Sequence, residues 1–274
     1  MAKDSSYFVA DFNDGYSLRN TLEYLKNTNS SGVLKFFPDK IVYEQSDKTK
    51  VIINKIEINT SDLAHYEFYS ENNLISIGLN ISDVLSITKT IGKKDGVRFY
   101  KLKDEQYLYI QIISQSSNTV EKDNVSIIKP QQINLLPFEE PEYERSERTP
   151  NATILSSKFS KLCKALSALK CETITVIGYP EGITFASISQ GVLIGRIEKI
   201  GNVDDEPIDS CIENMKRPLI KIRCSTMKSL GKIGNLCTTG MVKMFIEHGK
   251  PLKLISKIGN YGTLKSFIYS YDKK

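Results

Sequence analysis

One order of short elements is written twice in this 274-residue chain. A helical pattern at Ser17–Asn27 is followed by strand patterns and a second helical pattern at Ser82–Thr90. The same order returns at Ser157–Lys170 and Ser225–Leu236. The helical starts lie about 65 residues apart in the first half and about 68 in the second. Internal repetition of this kind means one architectural unit used twice. Two similar domains are therefore expected, which suits a chain of this length at about 150 residues per domain.

Strand signals dominate. Val51–Ile58 alternates at its end, and Tyr107–Ile113 is rich in β-branched and aromatic residues. Thr173–Ile177 and Gly182–Ala186 flank Tyr-Pro-Glu-Gly, which predicts a hairpin. Leu252–Ile258 and Leu264–Tyr269 close the chain. Many strands with four short helices give an α+β fold of antiparallel sheets.

Each helical pattern has one apolar stripe. In the third, Phe159, Leu162, Cys163, Leu166 and Leu169 recur at helical spacing. Lys158, Lys161 and Lys164 lie off that stripe. In the first, Leu18, Leu22 and Leu25 form the stripe and Arg19 and Lys26 sit beside it. In the second, Val84, Leu85, Ile87 and Ile91 are apolar and Lys89 is not. In the fourth, Lys228 and Lys232 share a face, while Gly231 and Gly234 weaken the helix. Any one such face is ordinarily solvated, but four in a repeated layout suit a single basic surface.

Charge supports that reading. From Thr149 onward there are 19 Lys and Arg against 10 Asp and Glu, leaving 18 against 22 in residues 1–148. A basic half suits an acidic partner such as nucleic acid. Between the halves, residues 129–150 hold four prolines and five glutamates, an extended connector in composition. Leu135, Leu136, Phe138 and Tyr143 on it either pack back or wall a partner site. The expected division is residues 1–128, a connecting loop at 129–148, and residues 149–274.

Other classes find little support. Cys163, Cys171, Cys211, Cys224 and Cys237 are odd in number and never spaced C-x-x-C, so they read as reduced apolar residues. His65 and His248 stand far apart, with no H-E-x-x-H, and neither nucleotide-binding glycine motif occurs. No metal, cofactor or catalytic activity is expected. No apolar run reaches the 18 or so residues of a membrane helix. The start, Met1-Ala-Lys-Asp-Ser-Ser, has no apolar signal region. A soluble intracellular protein is expected.

At four places the residues carry a family likeness. Phe159-Ser-Lys-Leu-Cys-Lys-Ala-Leu-Ser, Gly182-Ile-Thr-Phe-Ala-Ser, Ile77-Gly-Leu-Asn-Ile-Ser-Asp-Val-Leu and Tyr261-Gly-Thr-Leu-Lys-Ser-Phe-Ile-Tyr resemble segments of proliferating cell nuclear antigen, the eukaryotic-type DNA sliding clamp. The likeness runs from about Asp14 to Tyr271. It implies two clamp-type domains and a head-to-tail homotrimer around double-stranded DNA. The implied role is that of a processivity factor tethering DNA polymerase and other clients through PIP-box-type peptides, with a clamp loader as a further partner. The alternative is a monomeric or dimeric viral-type processivity factor that grips DNA by a basic face.

Carried onto this chain, the resemblance implies pore-facing Arg19, Lys26, Lys89, Lys161, Lys164 and Lys232; Lys228 joins them by helical spacing. The implied peptide groove is Ser46, Thr49, Lys50, Val51, Leu136, Phe138, Tyr143, Pro251, Phe267, Ile268 and Tyr269. The implied subunit contact sets Tyr107–Ser114 beside Val192–Ile200 of the next copy, with Tyr109, Ile110, Ile112, Ile194 and Ile197 in it. The chain departs from cellular clamps in its net charge of +5, and in Asn20 and Ser86 where lysine is usual. That divergence is similar to clamps of large DNA viruses, and implies a place in the nucleus or at a cytoplasmic viral replication site.

Overall fold

The computed structural model describes residues 6–45, 51–114, 125–135, 138–169, 171–187, 196–204, 208, 210 and 216–271. The chain divides into two compact units. The first is Met1–Ser46, Asn54–Leu136 and Lys257–Leu264; the second is Asp47–Ile53, Pro137–Ser256 and Lys265–Lys274.

The elements of the first half are β1 (Ser6–Phe12), α1 (Gly15–Thr28), β2 (Ser31–Phe36), β3 (Lys40–Glu44), β4 (Ile52–Asn59), β5 (His65–Phe68), β6 (Ile75–Asn80), α2 (Ile81–Thr88), β7 (Gly96–Leu102), β8 (Leu108–Ile113) and β9 (Val125–Ile128). Strands run in the order β5-β1-β7-β8-β9 and, separately, β6-β2-β3-β4, each antiparallel to its neighbours in the run. Phe8 stacks on Phe36 with ring centroids 3.9 Å apart, so β1 and β2 share one core.

Helix α1 starts where Asp14 accepts a hydrogen bond from the Ser17 N–H at 2.9 Å, which satisfies one otherwise unpaired donor of the first turn. Asn80 does the same for Ser82 at the start of α2. The buried stripe of α1 includes Leu18, Leu22 and Leu25, as its spacing predicts, together with Tyr24. Tyr24 donates to Asn54 Oδ1 at 2.9 Å, and Asn54 Nδ2 donates to Gln45 Oε1 at 2.9 Å. These bonds give the buried Tyr24 hydroxyl and Asn54 amide partners inside the core.

The second half contributes β10 (Ala152–Leu155), α3 (Ser156–Ser167), β11 (Thr173–Tyr179), β12 (Glu181–Ser187), β13 (Ile197–Asn202), β14 (Leu219–Arg223), α4 (Cys224–Leu230), β15 (Met241–Phe245), β16 (Leu252–Ile258) and β17 (Gly262–Ile268). The strand orders are β14-β11-β12-β13 and β10-β15-β16-β17. The hairpin expected around Tyr-Pro-Glu-Gly is present, with Tyr179 opposite Gly182. Buried Asn151 ties this unit together: its Nδ2 donates to the Tyr179 carbonyl and its Oδ1 accepts from the Ile246 N–H.

The repeat legible in the sequence is a repeat of topology. The run β6-β2-β3-β4 recurs as β14-β11-β12-β13, and β1-β7-β8-β9 recurs as β10-β15-β16-β17. Among the described elements β5 has no counterpart. One helix falls short of its pattern. The fourth is α-helical over Cys224–Leu230 and then tightens into a 3₁₀ turn over Gly231–Asn235. Glycine is required there: a Cβ at Gly234 would stand 2.3 Å from the Ser156 carbonyl oxygen. The turn thereby lies directly on α3, and Ser160 donates to the Gly231 carbonyl at 2.9 Å.

Candidate nucleic-acid interface and partner groove

In each unit two helices pack side by side, α1 on α2 and α3 on α4 with its 3₁₀ turn. Their apolar stripes face inward, which leaves the bases outside. In the second unit Phe159, Leu162, Cys163 and Leu166 are buried while Lys158, Lys161 and Lys164 are exposed. In α4, Cys224, Met227 and Leu230 are buried and Lys228 is exposed; Lys232 on the turn is half-buried. These segments, Ser156–Ser167 and Cys224–Asn235, carry five lysines and no carboxylate. Lysines gathered on one face raise the local positive potential.

The first unit is more mixed. Lys26 and Lys89 are exposed. Arg19 is half-buried and engaged: its Nε pairs with Glu23 at 3.3 Å and its Nη1 donates to the Ile91 carbonyl at 3.2 Å. It joins α1 to the end of α2 while keeping its charge on that side. All seven bases named from the sequence therefore sit off the buried stripes.

The connector lies on the second unit's own strands. Phe138 packs against Phe267 with ring centroids 5.2 Å apart. The Tyr143 hydroxyl donates to the Pro251 carbonyl at 2.6 Å, and the Glu144 and Arg145 N–H groups donate to the Glu247 carboxylate at 3.1 Å. Beneath them Lys253, only 7% exposed, lies between Glu140 at 3.4 Å and Glu147 at 3.6 Å and over the Tyr143 ring at 4.9 Å. Lys265 reaches the same two carboxylates at 3.5 and 2.7 Å. Burial alone would raise the Glu147 carboxyl, but the two lysines outweigh it and its pKa is lowered. The same pairing outweighs burial at Lys265, whose pKa is raised.

This geometry corrects part of the expected groove. Phe267 and Ile268 are fully buried and Pro251 is buried with them, so none of the three presents a wall to a partner. The β17 strand buries both faces toward its end, which defeats an alternating reading of its side chains. Val51, Phe138, Tyr143 and Tyr269 remain half-exposed, and the Tyr269 N–H donates to the Val51 carbonyl at 2.9 Å. Ser46, Thr49, Lys50 and Leu136 lie outside the described residues.

The expected subunit contact also needs correction. β8 is not an edge: it pairs with β7 on one side and β9 on the other. Ile110 is fully buried in its own core. Tyr109 stacks on Tyr100 at 4.8 Å and donates to Glu105, which lifts its pKa to about 12 through that bond and then through burial. Ile112 is half-buried, and Ile194 lies outside the described residues. Among the described residues the end strand of that sheet is β9, whose Val125 and Ile127 are 39% and 57% exposed. In the second unit β13 ends the β14-β11-β12-β13 run, and Ile197 on it is exposed.

Two sheet runs and two inward-packed helices in each unit, stated twice in one chain, define an α+β clamp-type fold. No family model matches the sequence, and no curated protein does. Among solved structures the chain is similar to the crystal structure of proliferating cellular nuclear antigen from Entamoeba histolytica, with a TM-score of 0.77 and 17% identity over 97% of this chain and 100% of that one. At that identity the likeness establishes the fold, which is the clamp fold expected from the four sequence segments.

Proposed function

We propose that the chain is a DNA sliding clamp, a non-catalytic processivity factor that encircles duplex DNA and tethers a polymerase and other peptide-bearing clients. The observation that carries this reading is the pairing of a full-length clamp fold with lysine-bearing outer faces on both helix pairs. Sliding asks for attraction to phosphate without reading of bases. Long lysine side chains supply that attraction in a salt-dependent, sequence-independent form.

Three copies close head to tail in this reading. Heterologous contacts form a ring when their rotation closes. Each copy offers one end strand with an exposed isoleucine from each unit, β9 with Ile127 and β13 with Ile197, and we assign the junction to these strands. Clients dock on the connector face of the second unit, where Val51, Phe138, Tyr143 and Tyr269 offer half-exposed apolar surface. The charge of +5 and the departures at Asn20 and Ser86 favour a clamp of a large DNA virus, acting in the nucleus or at a cytoplasmic replication site.

The test is binding to a labelled linear duplex across a salt series. Lys161→Glu with Lys164→Glu is expected to leave the circular dichroism spectrum unchanged and to weaken binding at least tenfold. The slope of log K against log salt should become shallower by about two, because each phosphate that a lysine neutralises contributes near one unit. Unchanged affinity and slope in the folded variant would remove these helices from the DNA face.

A further inference from the structure

Five scattered cysteines suggest inert, reduced thiols, yet two of them meet. Cys171 precedes β11 and Cys224 opens α4. The Cys224 N–H donates to the Glu172 carbonyl at 2.9 Å, which extends the ladder that sets Thr173 opposite Arg223. The two cysteines are thereby fixed on neighbouring segments of one sheet. Their sulfur atoms lie 3.4 Å apart, with the Cys171 thiol directed at Cys224. A disulfide bond is about 2.05 Å long, so closure asks for roughly 1.4 Å of sulfur movement.

The surroundings divide the labour between them. Cys171 is half-exposed, whereas Cys224 is 6% exposed. Burial, and then the neighbouring thiol, push the Cys224 pKa up to about 11. Its S–H lies 3.1 Å from the Leu166 carbonyl, at the end of α3. The thiolate is the nucleophile in thiol chemistry, so Cys171 is the group an oxidant in solution reaches first. Cys163 shows the contrast: it is fully buried in the α3 stripe with no thiol beside it among the described residues.

We propose that Cys171 and Cys224 form a reversible dithiol–disulfide switch driven by peroxide. The Cys171 thiolate attacks one oxygen of hydrogen peroxide. The O–O bond breaks, a Cys171 sulfenic acid forms, and the second oxygen leaves as water after taking a proton. The Cys224 sulfur then attacks the sulfenic sulfur. The S–OH bond breaks, and the departing hydroxide takes the Cys224 proton to leave as a second water. Two thiols are oxidised and one peroxide is reduced. A dithiol reductant reverses the change by exchange through a mixed disulfide.

The bridge would tie the first residue of α4 to the approach of β11, and the Leu166 carbonyl would lose its thiol donor. It sits where the two lysine-bearing helices of the second unit meet. Oxidation therefore acts on the helix pair assigned to DNA, although the thiol chemistry does not depend on that assignment.

Peptide mapping tests the switch directly. Reduced full-length protein is treated with hydrogen peroxide, its remaining thiols are blocked with N-ethylmaleimide, and it is digested without reductant. The expected product is a Cys171 peptide joined to a Cys224 peptide, lighter than the reduced pair by two hydrogen atoms and absent after dithiothreitol. Cys171→Ser should leave Cys224 reduced under the same dose. Recovery of both cysteines as maleimide adducts, or of either in a bridge to another cysteine, would overturn the proposal.

Discussion

Phe267 shows how far a side chain's role depends on what covers it. Its ring is fully buried and packs on Phe138 of the connector. Truncating a core phenylalanine removes transfer energy and leaves a cavity, at a cost of about 3–5 kcal/mol. Phe267→Ala is therefore expected to lower unfolding stability in urea by an amount in that range. Tyr269→Ala, at a half-exposed position, should cost far less and should weaken capture of a PIP-box-type peptide. Equal stability losses at the two positions would contradict the placement of Phe267 in the core. From the sequence alone the two aromatics look alike, because they stand two residues apart on one apolar run. Only the packing partner on the connector separates them.

Helices are the most legible elements and short strands the least. Leu18, Leu22 and Leu25, or Phe159, Leu162 and Leu166, repeat at 3.6-residue spacing, and that stripe is itself the cause of burial. The four-residue β9 has no such signal, and the longer β8, with its tyrosine and three isoleucines, suggests itself as the edge instead. A strand hydrogen-bonded on both sides is where β-branched and aromatic residues are expected to concentrate, so strength of pattern points to the wrong strand. The connector is legible as a linker, but Lys253 and Lys265, which hold Glu140 and Glu147, lie more than a hundred residues away in sequence.

That charge cluster has a pH signature. The lowered Glu147 pKa stabilises the fold above about pH 4.3, the unfolded carboxyl value, and this contribution is lost as pH falls through the folded value. The raised Lys265 pKa stabilises below about pH 10.4 and is lost as pH rises through the folded value. Amide exchange over residues 138–149 should accelerate at both limits before β11 and β12 do. Glu147→Gln should blunt the acid response. Exchange over 138–149 that follows β11 and β12 at every pH would refute a connector held by this cluster.

At the scale of the whole molecule, a twice-used topology leaves β9 and β13 as end strands that expose Ile127 and Ile197. Exposed edges of this kind invite pairing with another chain. Ile127→Lys puts a charge on the exposed edge of β9. It is expected to convert the assembled protein to single chains of about 31 kDa with an unchanged circular dichroism spectrum. An assembled Ile127→Lys variant would place the junction elsewhere.

Static light scattering at low micromolar concentration, in low and moderate salt, is the most direct measurement of the central claim. A closed ring of three copies predicts a mass near three times 30.9 kDa, about 93 kDa, at both salt concentrations. A mass near 31 kDa would contradict encirclement and leave a single chain that grips DNA by its basic face.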